Sequence, residues 1–196
     1  YPYPAGSSIA VSFPPSHAQE GGPDALIRRL KDPSERRSIS DYLDSDDSTV
    51  ATLEGIVFSY LPKNVHLEGM TLTDVAKQRG VSLGEALCEL LLDEDLKVGY
   101  LGAPPRSSAL WRQVSRDSME LLARHDYMVC SDITPLGSMP HPRSYGAFPR
   151  FLGRLRREFG VLSLEQMLHR MTDRPARRFG LTKRGRIEKG YYADVV

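Results

Sequence analysis

The stretch 127–146, YMVCSDITPLGSMPHPRSYG, constrains the fold more than any other part of this chain. A short apolar run ends in the polar pair Ser131-Asp132, and a loop rich in Gly and Pro follows. This order predicts a buried strand over 127–131 with polar side chains at its tip. In an α/β barrel such side chains face the active site, where a carboxylate can act as a general acid or base and Arg143 can clamp an anion. The alternative is a core strand followed by an ordinary surface loop.

The composition is that of one globular domain. The chain has 196 residues, 40% hydrophobic and 26% charged, with a formal net charge of +1, which allows a sizeable core. Near-neutral charge gives no general reason to expect a nucleic-acid or membrane partner, and no apolar run approaches the length of a membrane span. The arginines over 150–157 are interpreted as a solvated helix face, because Glu158 interrupts them and no aromatic stacking platform is evident.

Two cysteines, Cys88 and Cys130, stand far apart in apolar surroundings. They are interpreted as buried free thiols, which suits a reducing compartment and predicts a cytoplasmic location. The chain opens without Met and closes on YYADVV, an apolar run typical of a strand that is cut before its end. We therefore expect a fragment of a longer polypeptide, although trimming would look the same.

The pattern along the chain alternates strands with helices, which favours an α/β fold. Amphipathic spacing and helix-start signals such as Thr71/Asp74, Ser82/Glu85 and Ser163/Gln166 predict helices over 24–43 (in two pieces), 72–79, 83–92, 115–125, 148–159, 163–171 and 174–180. Strands are predicted at about 52–60, at 127–131 and twice in the tail, with a turn at Gly190. Residues 1–23 are predicted to be an irregular loop and 44–49 a solvated turn. Only 127–131 has the pattern of a buried parallel strand, and one strand cannot close a barrel.

Two blocks of sequence, SDITPLGSMPHPRSYGAFPRFLGRLRRE and VLSLEQMLHRMTDRPARRFGLTKRGRIEKGYYADVV, resemble the C-terminal part of the N-acyl-D-amino-acid deacylases. These enzymes, also called D-aminoacylases, belong to the amidohydrolase superfamily. The opening YPYPAGSS and the segment LPKNVHLEGMTLTDVAKQRG are similar to the same family, so the resemblance covers essentially the whole chain.

The resemblance implies the C-terminal portion of a metal-dependent (β/α)8 barrel with an insertion, ending in strands of a small β-sandwich. On this layout residues 1–184 belong to the barrel domain, with the insertion at about 8–113, and residues 185–196 begin the sandwich segment. Strand eight of the barrel would be 127–132. The main metal ligands of such enzymes, a His-x-His pair, a bridging Cys or similar group and two later His, come from earlier strands. We therefore expect the cofactor to be zinc, held mostly by residues upstream of this chain, and the missing N-terminal part to be a partner.

The resemblance also implies roles for individual residues. Asp132 matches the family's catalytic aspartate, which moves a proton between the attacking water and the leaving amine and is also a possible weak metal ligand. Arg143 in PHPR matches the arginine that holds the substrate carboxylate, and Tyr1 with Ser7 or Ser8 matches positions that donate hydrogen bonds to it. Ile133 departs from the family, which usually has Gly after this aspartate.

Other residues have simpler interpretations. A lone His141 between two prolines is interpreted as a structural member of its loop, and His17, His66, His125 and His169 lack ligand spacing. If 127–132 is a strand, the side chain of Cys130 points away from the site into the core.

Three functions therefore stay open. The first is a hydrolase that cleaves N-acyl-D-amino acids, small-molecule substrates, to a carboxylate and a D-amino acid with metal-activated water. The second is another amidohydrolase, dihydroorotase-like or dipeptidase-like. The third, motivated by Ile133 and the missing ligand strands, is an inactive amidohydrolase-like fragment. The sequence does not indicate the preferred side chain, the acyl group, the number of metals or the oligomeric state.

Overall fold

A computed structural model describes residues 6–45, 47–103, 107–124, 127–133 and 137–194. The described residues fall into two compact units. The N-terminal unit contains those between 6 and 103 together with 137–141, and the C-terminal unit contains those between 107 and 133 together with 142–194. Each unit has its own hydrophobic cluster.

The N-terminal unit combines seven helices with a three-stranded antiparallel sheet. Its elements in chain order are β1 (Gly6–Ser8), α1 (Ile9–Ser12), α2 (Ser16–Gln19), α3 (Pro23–Lys31), α4 (Pro33–Ser45), α5 (Asp47–Glu54), β2 (Val57–Tyr60), a 3-10 turn (Val65–Leu67), α6 (Leu72–Arg79), α7 (Leu83–Asp93) and β3 (Gly99–Leu101). The strand order is β1-β3-β2, so that Tyr100 pairs with Ser7 on one side and with Phe58 on the other. Fully buried side chains from the helices and from β2 form the core, among them Ile9, Leu30, Ile39, Leu43, Phe58, Leu87 and Leu91.

Local capping signals set the ends of α6 and α7. The Thr71 hydroxyl accepts a hydrogen bond from the N–H of Asp74 at 3.0 Å, and the Ser82 hydroxyl accepts one from Glu85 at 3.1 Å. Gly80 ends α6 in the left-handed conformation, with φ of 70°, which glycine adopts without steric cost. The predicted helices over 72–79 and 83–92 are therefore confirmed, and so are the two helical pieces within 24–43.

Residues 137–141 belong to the N-terminal unit and contact the region around β2. Gly137, with φ of 85°, lies so close to β2 that an added Cβ would come within 2.0 Å of the Ser59 carbonyl oxygen. The Glu68 carboxylate accepts hydrogen bonds from the N–H of Leu61 at 2.8 Å and from the N–H of Ser138 at 3.0 Å, and also from the Ser138 hydroxyl. Glu68 thus joins the end of β2 to a segment seventy residues later in the chain.

The C-terminal unit is helical. It contains α8 (Ser108–Ala123), α9 (Arg143–Pro149), a π-helical stretch (Arg150–Leu155), α10 (Arg156–Phe159), α11 (Leu164–Met171) and α12 (Asp173–Arg178). The predicted helix over 148–159 is confirmed as part of a longer run that begins at Arg143. Pro149 lies inside α9, directly before the π-helical stretch, and has no N–H for the helical ladder. Ser163 and Gln166 form the predicted capping box at the start of α11. The core of this unit is Met119, Leu122, Val129, Phe151, Leu155, Leu162 and Met167.

Several predicted elements are wrong. Residues 127–133 form no strand, because the N–H of Val129 bonds to the carbonyl of Arg170 in a helix instead of to a neighbouring strand. The tail from 185 to 194 forms turns rather than strands, with the N–H of Tyr192 bonded to the Lys183 carbonyl. Helix α5 occupies 47–54, where a solvated turn and the start of a strand were expected, and β1, α1 and α2 occupy part of the expected loop 1–23.

The α/β expectation therefore needs correction for the part of the chain that the structure describes. That part is mostly helical with one small antiparallel sheet, and its strands form no parallel pair. The assignment of 8–113 as an insertion and of 185–196 as the start of a sandwich segment stays a prediction. Among these helices none is long and apolar enough to cross a membrane.

Candidate active site

Asp132 and Arg143 meet in the C-terminal unit. Arg143 is the first residue of α9, and its Nη1 lies 3.4 Å from Oδ2 of Asp132. The guanidinium is buried, with 9% of the side chain exposed, whereas the Asp132 side chain is 81% exposed. The structure thus brings together the two residues for which the sequence predicted acid/base and carboxylate-binding roles, and leaves the carboxylate open to solvent.

The backbone of Asp132 is unusual. Its φ is 49°, in the left-handed region that non-glycine residues rarely occupy and that Asp and Asn tolerate best. Its N–H donates to Sγ of Cys130 at 3.3 Å. Cys130 is exposed, so the prediction of a core thiol is wrong, because without a strand the expected alternation of side chains is lost. Cys88 is buried as predicted.

Ile133 lies outside the left-handed backbone region. It is 43% exposed, and it is absent from the four described non-glycine residues with positive φ, which are Asp95, Leu96, Asp132 and Lys183. Its backbone therefore shows no positive φ, the conformation that most favours glycine.

Arg170 holds the segment that carries Asp132. The N–H of Val129 donates to the Arg170 carbonyl at 3.3 Å. The Arg170 side chain is buried, and its Nε and Nη2 donate to the carbonyls of Leu122 and Ala123 at 2.7 and 3.0 Å, at the end of α8. Sequence reasoning missed Arg170 because an arginine in an amphipathic helix normally indicates a solvated position.

The remaining predicted site residues are described within their own unit. Ser7 and Ser8 form part of β1 in the N-terminal unit, with Ser7 exposed and Ser8 half-buried. Tyr1 lies outside the described residues. His141 is buried, and an added Cβ on Gly6 would come within 2.5 Å of its Cδ2, so this ring packs against the start of β1. That position agrees with a structural role in the loop.

A second buried acid, Asp173, is fully engaged in ion pairs. Its carboxylate accepts hydrogen bonds from Arg177 at 3.0 Å and from Nη2 of Arg186 at 3.1 Å, and Nδ1 of His169 lies 3.1 Å from it. These contacts tie the tail to α11 and α12. These ion pairs explain why the Asp173 carboxylate is buried, and they indicate a structural role for it.

The Arg-rich helix is only partly a solvated face. Arg154 and Arg157 are exposed, as predicted, and Arg154 pairs with Glu158. Arg150 is half-buried and lies over the ring of Trp111, 5.3 Å from its centroid. This cation–π contact joins α8 to the π-helical stretch.

The described residues contain no group of three or more His, Cys, Asp or Glu side chains that could hold a metal ion. Asp132 by itself supplies one carboxylate, whereas a zinc site needs at least three protein ligands. This part of the molecule therefore does not form a metal site from its own residues.

Comparison with known proteins defines the class. A family model described as "Amidohydrolase family" matches residues 18–196. The chain belongs to the amidohydrolase family.

Proteins similar to this chain include D-aminoacylases and an N-acyl-D-glutamate deacylase. A D-aminoacylase of Alcaligenes xylosoxydans xylosoxydans is 35% identical over 130 residues, which are 66% of this chain and 24% of the relative. A crystal structure of D-aminoacylase matches with a TM-score of 0.56 and 31% identity, over 73% of this chain and 28% of that one. The N-acyl-D-glutamate deacylase of Bordetella bronchiseptica, solved with zinc and a phosphonate inhibitor, matches with a TM-score of 0.55 and 29% identity, over 75% of this chain and 28% of that one. The chain thus spans about a quarter of the length of the relatives that it matches.

Proposed function

We propose that this chain is part of a zinc-dependent hydrolase that cleaves the amide bond of N-acyl-D-amino acids to a carboxylate and a free D-amino acid. The observation that carries the proposal is the 3.4 Å approach of Asp132 to Arg143. Membership of the amidohydrolase family and similarity to D-aminoacylases support it.

The chemistry of the substrate requires two protein groups at close range. In an N-acyl amino acid the amide nitrogen and the carboxylate are attached to the same carbon atom. A group that protonates this nitrogen and a group that binds this carboxylate must therefore lie within a few ångströms of each other. Asp132 and Arg143 satisfy this condition.

Each residue suits one task. The planar guanidinium of Arg143 can hold a carboxylate through two parallel hydrogen bonds, and because this side chain is buried its position is well defined. The exposed carboxylate of Asp132 can accept a proton from the attacking water and return it to the leaving amine. Zinc, when bound, polarises the amide carbonyl and lowers the pKa of water. Asp132 is at most one weak ligand to it, and Tyr1 with either Ser7 or Ser8 is proposed to donate further hydrogen bonds to the substrate carboxylate.

The test is hydrolysis by the full-length, zinc-loaded protein. N-acetyl-D-amino acids should be cleaved, whereas the L enantiomers and N-acetyl-D-amino-acid amides, which lack the carboxylate, should be cleaved far more slowly. Turnover of cyclic amides or of dipeptides in preference to these substrates would instead indicate another amidohydrolase activity. Absence of any turnover by the zinc-loaded protein would contradict the proposal and favour an inactive relative.

A further inference from the structure

The segment 127–133 is held by contacts of individual residues and not by a regular secondary-structure element. It pairs with none of the strands in the part of the chain that the structure describes, and it is not helical. Val129 is 9% exposed and packs into the C-terminal core, and its N–H bonds to the carbonyl of Arg170. Asp132 follows only three residues later, so this attachment helps to place its carboxylate, together with the ion pair to Arg143.

The side chain of Arg170 fixes the carbonyl to which Val129 bonds. Its guanidinium reaches from α11 to the carbonyls of Leu122 and Ala123 at the C-terminal end of α8. The last carbonyls of a helix have no partner within it, and their dipoles favour a cation. The fork of a guanidinium bonds two such carbonyls at once, which the single ammonium group of a lysine reproduces only in part.

We propose that Arg170 is a positioning residue that sets the place of Asp132 relative to Arg143. This inference rests on the proposed function, because it assigns Arg170 a part in the same reaction. Arg143 is not part of this attachment, since it begins α9, which continues into the π-helical stretch, whose Phe151 and Leu155 lie in the core. Loss of the Arg170 side chain therefore moves the acid/base group and leaves the carboxylate-binding group in place.

The experiment compares Arg170→Met, Arg170→Lys and the wild-type full-length protein, with Arg178→Met as the control. Arg178 is an exposed arginine eight residues later, on α12. In Arg170→Met, kcat for an N-acetyl-D-amino acid should fall by about 100-fold, the loss typical of a misplacement of about 1 Å. KM should stay within about twofold, because Arg143 still binds the carboxylate. Arg170→Lys should recover part of kcat, and Arg178→Met should leave both parameters unchanged.

Hydrogen exchange separates this inference from the function on which it rests. In Arg170→Met the amides of 127–133 should exchange faster than in the wild type, while those of 150–155 keep their protection. If the wild type hydrolyses no substrate, the proposed function fails, yet faster exchange would still show that Arg170 fixes the segment. Unchanged exchange at 127–133 would overturn the inference. A rise in KM as large as the fall in kcat would overturn it as well. If Arg170→Met does not fold, the same readouts are taken from Arg170→Lys, for which smaller shifts in the same direction are expected.

Discussion

The guanidinium of Arg143 and the carboxylate of Asp132 lie 3.4 Å apart, with the cation buried and the anion exposed. Under the proposed function a substrate carboxylate binds the same guanidinium. Substrate and Asp132 therefore compete for Arg143, and binding of the substrate releases the Asp132 carboxylate from its ion pair. Substitution of Asp132 should therefore change mainly kcat, whereas substitution of Arg143 should change mainly KM.

Asp132→Asn should lower kcat by about 10²- to 10⁴-fold, the usual contribution of a general acid/base, without raising KM. An amide cannot take up the proton, but it also no longer competes for Arg143. Asn tolerates the left-handed backbone, so the melting temperature should change little. Steady-state kinetics with an N-acetyl-D-amino acid test this, with Asp41→Asn, an exposed aspartate of α4, as the control. A rise in KM with kcat unchanged would show that Asp132 serves binding instead.

Arg143→Lys should raise KM by about 10- to 100-fold, because a bidentate charge-assisted contact of about 1.5–3 kcal/mol is reduced to a single point contact. The variant should also lose most of its discrimination against the substrate amide that lacks a carboxylate. Parallel kinetics on the acid and the amide measure this. Arg157→Lys, at an exposed position on α10, should behave as the wild type. Full discrimination retained in Arg143→Lys would place the carboxylate elsewhere.

Glu68 should make the N-terminal unit sensitive to acid. Partial burial acts to raise its pKa, but the hydrogen bonds from Ser138 and Leu61 outweigh burial and hold the pKa below the ordinary 4.5. A carboxyl with a lowered pKa in the folded state contributes stability above its unfolded pKa and loses it as the pH falls through the folded value. Glu68→Gln should therefore destabilise the unit by about 1–3 kcal/mol near neutrality, and the difference should shrink as the pH falls below the ordinary pKa of 4.5.

Urea unfolding of the wild type and of Glu68→Gln over this pH range measures the effect. Glu54→Gln replaces an exposed glutamate of the same unit and should show no such trend. A difference that stays constant from neutrality to acid would mean that the ionised carboxylate is not what holds Ser138.

Gly137→Ala should destabilise the N-terminal unit more than Gly80→Ala does. Both glycines have positive φ, so alanine costs about 1–2 kcal/mol of backbone strain at either position. Only at Gly137 does the new Cβ also meet backbone, 2.0 Å from the Ser59 carbonyl, whereas nothing lies within 4 Å at Gly80. The unfolding midpoints of the two variants are compared, because Gly80→Ala reports the backbone strain alone and Gly137→Ala reports the strain plus the steric clash with Ser59. Equal midpoints would show that 137–141 can move away from β2 at little cost.

The sequence predicted best the features that depend on local interactions. The starts of α6, α7 and α11 follow from a hydroxyl that bonds a backbone N–H three residues later, and such a signal needs no tertiary contact. The resemblance singled out Asp132 and Arg143, which the structure places together, although their roles stay predictions.

Features that depend on distant partners were predicted poorly. The apolar run at 127–131 fits a buried strand and a buried irregular segment equally well. The sequence does not reveal that the N–H of Val129 bonds to the Arg170 carbonyl in α11. Because no strand forms there, side chains do not alternate between two faces, and the prediction that Cys130 is buried is wrong too. The prediction of a turn over 44–49 was wrong for a similar reason, since an acidic, Ser-rich composition does not reveal that α5 begins at Asp47.

The left-handed backbone at position 132 narrows what protein engineering can do there. In a saturation library at this codon, a first filter would remove variants that do not tolerate the left-handed backbone, and a second would remove those that lack the acid/base group. Glycine, asparagine and aspartate would survive the first filter most readily, while β-branched residues would be depleted even from a screen for expression alone. Of these three residues only aspartate carries a titratable group. Glutamate keeps the charge but tolerates this backbone less well, so Asp132→Glu should lower the stability of the protein although it conserves the carboxylate.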